Sequence, residues 1–202
     1  MLSHVSGRPQ KRKPSSFVQS RPMEDRPEAI VFASILAVVM LAAFMFLGRC
    51  SIGGKSLGPA PDAGISALLQ APSPALGSLR ELRGKAVVLE FWATWCDSCR
   101  ETIPHMNKLR EAFGGRPVVF ISATSEARGI VEDFLKEHPM TGWIGLDEGG
   151  RLESAFGVRG VPEVFLIDRQ GEITMRISPS YLYKSDIERA LSAEPAKKRP
   201  VQ

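Results

Sequence analysis

A chain of 202 residues with 44% hydrophobic content allows one packed domain of ordinary size plus appendages. Its net charge of +4 sits at the two ends, because residues 1–28 carry six Lys/Arg against three acids and Lys197, Lys198 and Arg199 close the chain, while seventeen basic and nineteen acidic residues lie between. A nearly neutral body gives no electrostatic reason to expect nucleic acid, and three cysteines with three histidines, holding a single close pair, leave a zinc site short of ligands.

Residues 29–47 are nineteen residues without a charge, broken in polarity only by Ser34. At the helical rise such a run nearly spans a bilayer core. It shows no polar stripe of the kind a buried core helix carries, so it is read as a transmembrane anchor. A secretory signal also has an apolar stretch behind positive charge, but this one is longer than a typical signal core and no small-x-small cleavage site follows, which favours retention. Arg49 and Leu47 do not suit a lipoprotein signal at Cys50, which is read as a bystander near the membrane. The basic residues Arg8, Lys11, Arg12, Lys13, Arg21 and Arg26 place the 1–28 tail in the cytoplasm by the positive-inside rule. Everything after the anchor then faces the periplasm or its equivalent, as a single-pass protein of the inner membrane. Free thiols there are oxidised unless electrons are supplied.

Residues 48–67 are rich in Gly, Pro, Ser and Ala and read as a flexible linker, with a short helix over 65–69 against a domain spanning 68–194. The continuous apolar run at 86–90 predicts a strand in a sheet covered on both faces. Ile103, Met106, Leu109 and Phe113 give 97–113 one buried helical stripe, ended by Gly114-Gly115. A strand over 117–123, a helix over 130–138, a strand over 143–146 and a short helix over 151–156 follow. Strands at 164–167 and 173–177 flank the turn Arg169-Gln170-Gly171-Glu172, and a helix over 183–191 closes the domain before a basic tail at 195–202. The alternation predicts an α/β fold with parallel strands joined by helices and an antiparallel hairpin at one edge.

Trp95-Cys96-Asp97-Ser98-Cys99 falls where the first central strand hands over to a helix. Unpaired N–H groups and the helix dipole stabilise a thiolate there, and two intervening residues let the sulfurs meet. Cys96, at the exposed end, is the attacking thiol, and Cys99, one turn inward, the resolving thiol. Half a zinc site and a pair of structural cysteines fit the spacing less well.

The segment Glu90-Phe91-Trp92-Ala93-Thr94-Trp95-Cys96-Asp97-Ser98-Cys99 resembles the active-site segment of the thioredoxin superfamily. Pro104 stands where such proteins kink the active-site helix, and Gly157-Val158-Arg159-Gly160-Val161-Pro162-Glu163-Val164-Phe165-Leu166-Ile167-Asp168 resembles their cis-proline loop and following strand. The similarity is greatest to the membrane-anchored TlpA/ResA/DsbE-like reductases. It implies a thioredoxin-like central mixed sheet flanked by helices, with an N-terminal transmembrane helix, and thiol–disulfide exchange with no cofactor beyond the Cys96–Cys99 disulfide and no metal. It also implies protein substrates with disulfides, a membrane thiol carrier as electron donor, and roles such as cytochrome c maturation or metal-site assembly.

By the same resemblance Glu90 occupies the position of the buried carboxylate that exchanges a proton with the resolving thiol, and strand alternation supports an inward side chain; the alternative is a carboxylate paired with a basic neighbour. Pro162 is expected to be cis, with the Val161 backbone free to pair with an extended substrate and Trp95 as a lid beside the thiols. Thr102 stands where some of these reductases carry a glutamate, and Glu101 points away. Asp97 beside Cys96 favours a more reducing centre, or simply the helix N-terminus. Glu163 matches the cytochrome-c-maturation branch. His105 faces solvent or a helix edge, which with the two-residue spacing disfavours copper binding. The redox direction stays open between reductase and oxidase, and a non-catalytic binding module is the third reading.

Overall fold

The computed structural model describes residues 38–41 and 56–193. Residues 38–41 are helical and all four are exposed. The remainder of the segment expected to cross the membrane, both terminal tails and Cys50 lie outside the described residues. Among those described, no helix is long and apolar enough to cross a membrane.

The fold is built on β3 (Ala86–Phe91), buried at all six positions as its unbroken apolar run predicts. It pairs parallel with β4 (Val118–Thr124) and antiparallel with β6 (Glu163–Ile167). β1 (Gly58–Pro59), β2 (Ala67–Leu69), β5 (Trp143–Leu146) and β7 (Glu172–Ile177) complete a sheet of order β1-β7-β6-β3-β4-β5-β2. The helices are α1 (Asp97–Ala112), α2 (Arg128–Glu137), α3 (Arg151–Phe156) and α4 (Lys184–Ser192).

Strand periodicity sorts the residues of β3 between two layers. Val87, Leu89 and Phe91 pack against Leu79 and Leu82 of a short 3-10 helix and against Leu152 and Phe156 of α3. The Phe91 ring meets Phe165 edge-on at 5.8 Å between centroids. On the opposite face Ala86 and Val88 pack under Met106 and Leu109 of α1 and Ile187 of α4, while Trp92, just beyond β3, joins Cys99, Ile103, Val131 and Ile144. This face therefore carries the dithiol under α1 and beside α2 at one end, and an apolar core under α1 and α4 at the other.

The linker expected over 48–67 ends earlier, because residues from 57 onward are tied into the domain. Leu57 N–H donates to the Ile173 carbonyl at 2.8 Å, and Gly58 and Pro59 pair with β7. The hairpin of β6 and β7 is consequently covered by β1 rather than lying at the sheet edge. The segment expected as a helix over 65–69 is extended instead: Ile65 bridges Leu76 with N–H···O bonds of 2.7 and 2.9 Å, and Ala67–Leu69 pairs with β5. Gly64 lets this hairpin close, since a Cβ there would lie 2.3 Å from the Gly77 carbonyl oxygen. The apolar side chains of this segment cover the other end of the sheet, with Ile65 in the main core.

Candidate active site

Cys96 is the N-cap of α1, and its Sγ accepts the Cys99 N–H at 3.1 Å. The two cysteines form a disulfide with Cα atoms 5.2 Å apart. Because the Cys96 sulfur already takes an N–H from the first turn of a sixteen-residue helix, a thiolate released by reduction sits in the positive end of the backbone dipole. Ser98 Oγ lies 3.4 Å from the same sulfur. The exposed end expected for Cys96 is narrower than the sequence suggests: Cys96 is 5% exposed and Cys99 1%. Trp92, Ala93 and Val161 pack around the pair. The order of access is retained, and Trp95 beside them stands 72% exposed.

The Val161–Pro162 peptide is cis, as the resemblance implies. Val161 packs against the cluster that contains both cysteines, and both residues of this peptide are half-buried. The structure thus brings Cys96, Cys99 and Val161 into one cluster at the C-terminal end of β3. Trp95, expected as a lid beside the thiols, is largely exposed to solvent.

Glu90 is buried as expected, but it is paired. Its Oε2 accepts the Ser122 hydroxyl at 2.7 Å and lies 3.6 Å from Arg110 Nη2, which in turn donates to Ser122 Oγ. Burial pushes the Glu90 carboxyl above its ordinary value, with Arg110 and then the Ser122 hydroxyl opposing that rise. Burial likewise lowers Arg110 and Glu90 opposes it, so the two directions agree that desolvation outweighs attraction. Arg110 was not singled out from the sequence; its place beside the stripe residues Met106 and Leu109, one residue beyond Leu109, was the available signal.

Several surrounding residues hold the loop that carries the dithiol. Thr94 N–H and Oγ1 donate to the two carboxylate oxygens of Glu126, each at 2.6 Å, while its carbonyl accepts Arg100 Nη1 at 3.1 Å. Glu126, just past β4, was also missed, because a half-exposed acid in a loop carries no periodic signature. Thr102 is buried and donates to the Cys99 carbonyl at 2.8 Å, whereas Glu101 is exposed. Asp97 pairs with Arg100, Glu163 pairs with Arg176, and His105 Nε2 meets the Leu182 carbonyl at 2.9 Å. Among the described residues no group of three or more His, Cys, Asp or Glu side chains could hold a metal ion.

A strand that delivers a helix-capping dithiol beside a cis-proline loop, within a mixed sheet covered by helices, defines a thioredoxin-fold protein. The redoxin family profile matches residues 57–191, and the chain belongs to that family as a TlpA/ResA/DsbE-like member of the thioredoxin superfamily. The thiol–disulfide oxidoreductase ResA of Halalkalibacterium halodurans is 31% identical over 75% of this chain and 86% of its own length. ResA of Bacillus thuringiensis subsp. konkukian is 33% identical over 49% of this chain, and that match spans only 58% of the relative. A structure from Chlorobium tepidum bearing the name thiol:disulfide interchange protein DsbE superposes with a TM-score of 0.57 at 25% identity, over 69% of this chain and 97% of that one.

Proposed function

We propose that this protein is a membrane-tethered thiol–disulfide oxidoreductase of the periplasm that reduces disulfides of exported proteins. The observation that carries the reading is the Cys96 sulfur at the α1 N-cap, already accepting the Cys99 N–H. The Cys96 thiolate attacks a substrate disulfide, forming a Cys96–substrate bond and expelling one substrate sulfur as a thiolate that takes a proton from water. Glu90 accepts the proton of the Cys99 thiol, directly or through water, and the Cys99 thiolate then attacks Cys96 Sγ. That step closes the Cys96–Cys99 disulfide and releases the second substrate thiolate. Two electrons pass from the enzyme dithiol to the substrate, and a membrane thiol carrier returns them.

The exposed Trp95 and the Val161-Pro162 segment form the edge against which an extended substrate lies, the Val161 backbone supplying its hydrogen bonds. Apocytochrome c cysteines and a metal-site assembly protein are the proposed substrate classes, and the disulfide is the only redox group used. The uncharged run at 29–47 behind a basic tail supports insertion in the inner membrane with the domain outside.

Replacing Cys99 with serine removes the resolving thiol, so the variant is expected to accumulate a covalent complex with an exported protein, seen as a reductant-sensitive band. Recovery of none, under conditions that trap a ResA relative, counts against catalysis. Direction is tested separately by equilibrating the full chain in thiol buffers. A potential near or below about −230 mV is expected of a reductase. A value near about −120 mV, at the oxidising end of the range, makes disulfide donation the function instead.

A further inference from the structure

The pair formed by Glu90 and Arg110 is placed unlike a structural ion pair. Both side chains are almost completely buried, at 2% and 5% exposed, beside a cluster of apolar side chains between the sheet and the helices. Two charges there cost more than two apolar side chains of similar volume. Position along the sheet suggests what the cost obtains. Glu90 projects from the same face of β3 as Val88 and Trp92. Val88 packs under Met106 and Leu109, and Trp92 packs beside Cys99 and Ile103. Glu90 therefore lies beneath α1 between the level of its aliphatic stripe and the level of the resolving cysteine.

Arg110 reaches this point from the far end of the same helix, and the surroundings are shaped for its guanidinium. Gly142 gives it passage, because a Cβ there would stand 2.7 Å from Arg110 Nε and 3.0 Å from its Cδ. The Phe120 ring lies 5.7 Å from the guanidinium carbon. Nη1 donates to Asn107 Oδ1 at 3.1 Å, and Asn107 is fixed by the Thr141 N–H and the Pro139 carbonyl. Arg110 has only donors, so the polarity of the chain is set: Arg110 donates to Ser122 and Ser122 donates to Glu90.

We propose that Arg110 is a positioning residue for the proton transfer at Cys99, favouring the charged form of the Glu90 carboxyl and, through the Ser122 hydroxyl, holding it in one orientation beneath α1. The proposal rests on the reading of Glu90 as the proton acceptor. Arg110 is the charged partner acting on Glu90. β4 and β6 place uncharged Ser122 and Val164 opposite it. α1 also brings the Cys99 thiol once reduced. His105 of α1 turns to the Leu182 carbonyl, Asp186 of α4 to the Tyr183 N–H and Arg189, and the charges Arg128, Glu132, Asp133 and Lys136 of α2 pair with one another outside.

The test uses the reduced full chain carrying Cys50→Ser, so that only the dithiol reacts, mixed with dithiobis-nitrobenzoate; the first released nitrothiobenzoate reports attack by Cys96 and the second reports resolution by Cys99. The second phase is followed as a function of pH. Without the guanidinium, the buried carboxyl holds its proton to higher pH, so Arg110→Gln is expected to move the acid limb upward by about one to three pH units. Resolution near neutrality then slows about tenfold or more, while the first phase is unchanged. Arg110→Lys keeps the charge and is expected to restore most of the limb. Ser122→Ala keeps both charges but removes the bridge, and is expected to move the limb in the same direction by less.

A limb that stays in place in Arg110→Gln overturns the proposal. If that variant does not fold, an unmoved limb in Ser122→Ala overturns it equally. Glu90→Gln separates the two readings. Loss of the limb in Glu90→Gln with no movement in the Arg110 variant sinks the positioning role alone, and a wild-type limb in Glu90→Gln sinks Glu90 as proton acceptor.

Discussion

Replacing Cys96 with serine is expected to reduce protein-disulfide turnover to background, a loss on the order of a thousandfold or more. A serine hydroxyl is not ionised near neutrality and cannot form the mixed disulfide, and Cys99 cannot take its place because it is 1% exposed beneath Trp92 and Ile103. The fold is expected to survive. Serine is a favoured N-cap and can accept the same Cys99 N–H, and a disulfide spanning a sequence separation of three constrains little unfolded chain. The assay pairs reduction of a disulfide-bonded model protein with unfolding by urea. Full turnover by a folded Cys96→Ser chain would show that the dithiol is not the working group. Cys99→Ser differs in kind, since it retains attack and loses only release.

The dithiol was legible because everything that defines it is local. An apolar strand, a two-residue spacing and an apolar stripe at Ile103, Met106 and Leu109 lie within one stretch of chain, and strand and helix periodicity report them directly. The boundary of the domain was not legible for the opposite reason. β1 is two residues long and β2 three, too short for a periodic signal, and both owe their extended form to partners in β7 and β5 more than seventy residues away. Glu90 falls between these cases. Its burial followed from a charge inside an apolar strand, but its partner was only weakly signalled, because Arg110 falls at the stripe spacing from Ile103 and Met106 yet, as a charged residue, reads as the stripe's edge until the glycine at 142 is seen to admit it. The loop carboxylate of Glu126, which holds both polar atoms of Thr94, is likewise visible only once β4 is laid beside β3.

Arg110→Met is expected to destabilise the folded chain by about 3–5 kcal/mol near neutral pH, because it strands a buried Glu90 carboxylate without its counter-charge. The pH dependence carries the diagnosis. Glu90 has a folded-state value raised above its ordinary 4.5, so its favourable contribution to stability is present in acid and is lost as pH rises through the folded value. Removing Arg110 takes away the guanidinium that opposed this rise, which extends the loss to higher pH. The deficit of Arg110→Met relative to the wild type is therefore expected to be small in acid, where Glu90 is protonated in both proteins, and to grow towards neutrality. Glu90→Gln combined with Arg110→Met removes both charges and is expected to recover most of the deficit, since a neutral pair in this layer has little desolvation to offset. Urea unfolding of these three proteins across pH reads both effects. A deficit that does not change with pH would assign the loss to the packing of the arginine side chain against Phe120 and Gly142 instead of to its charge acting on Glu90.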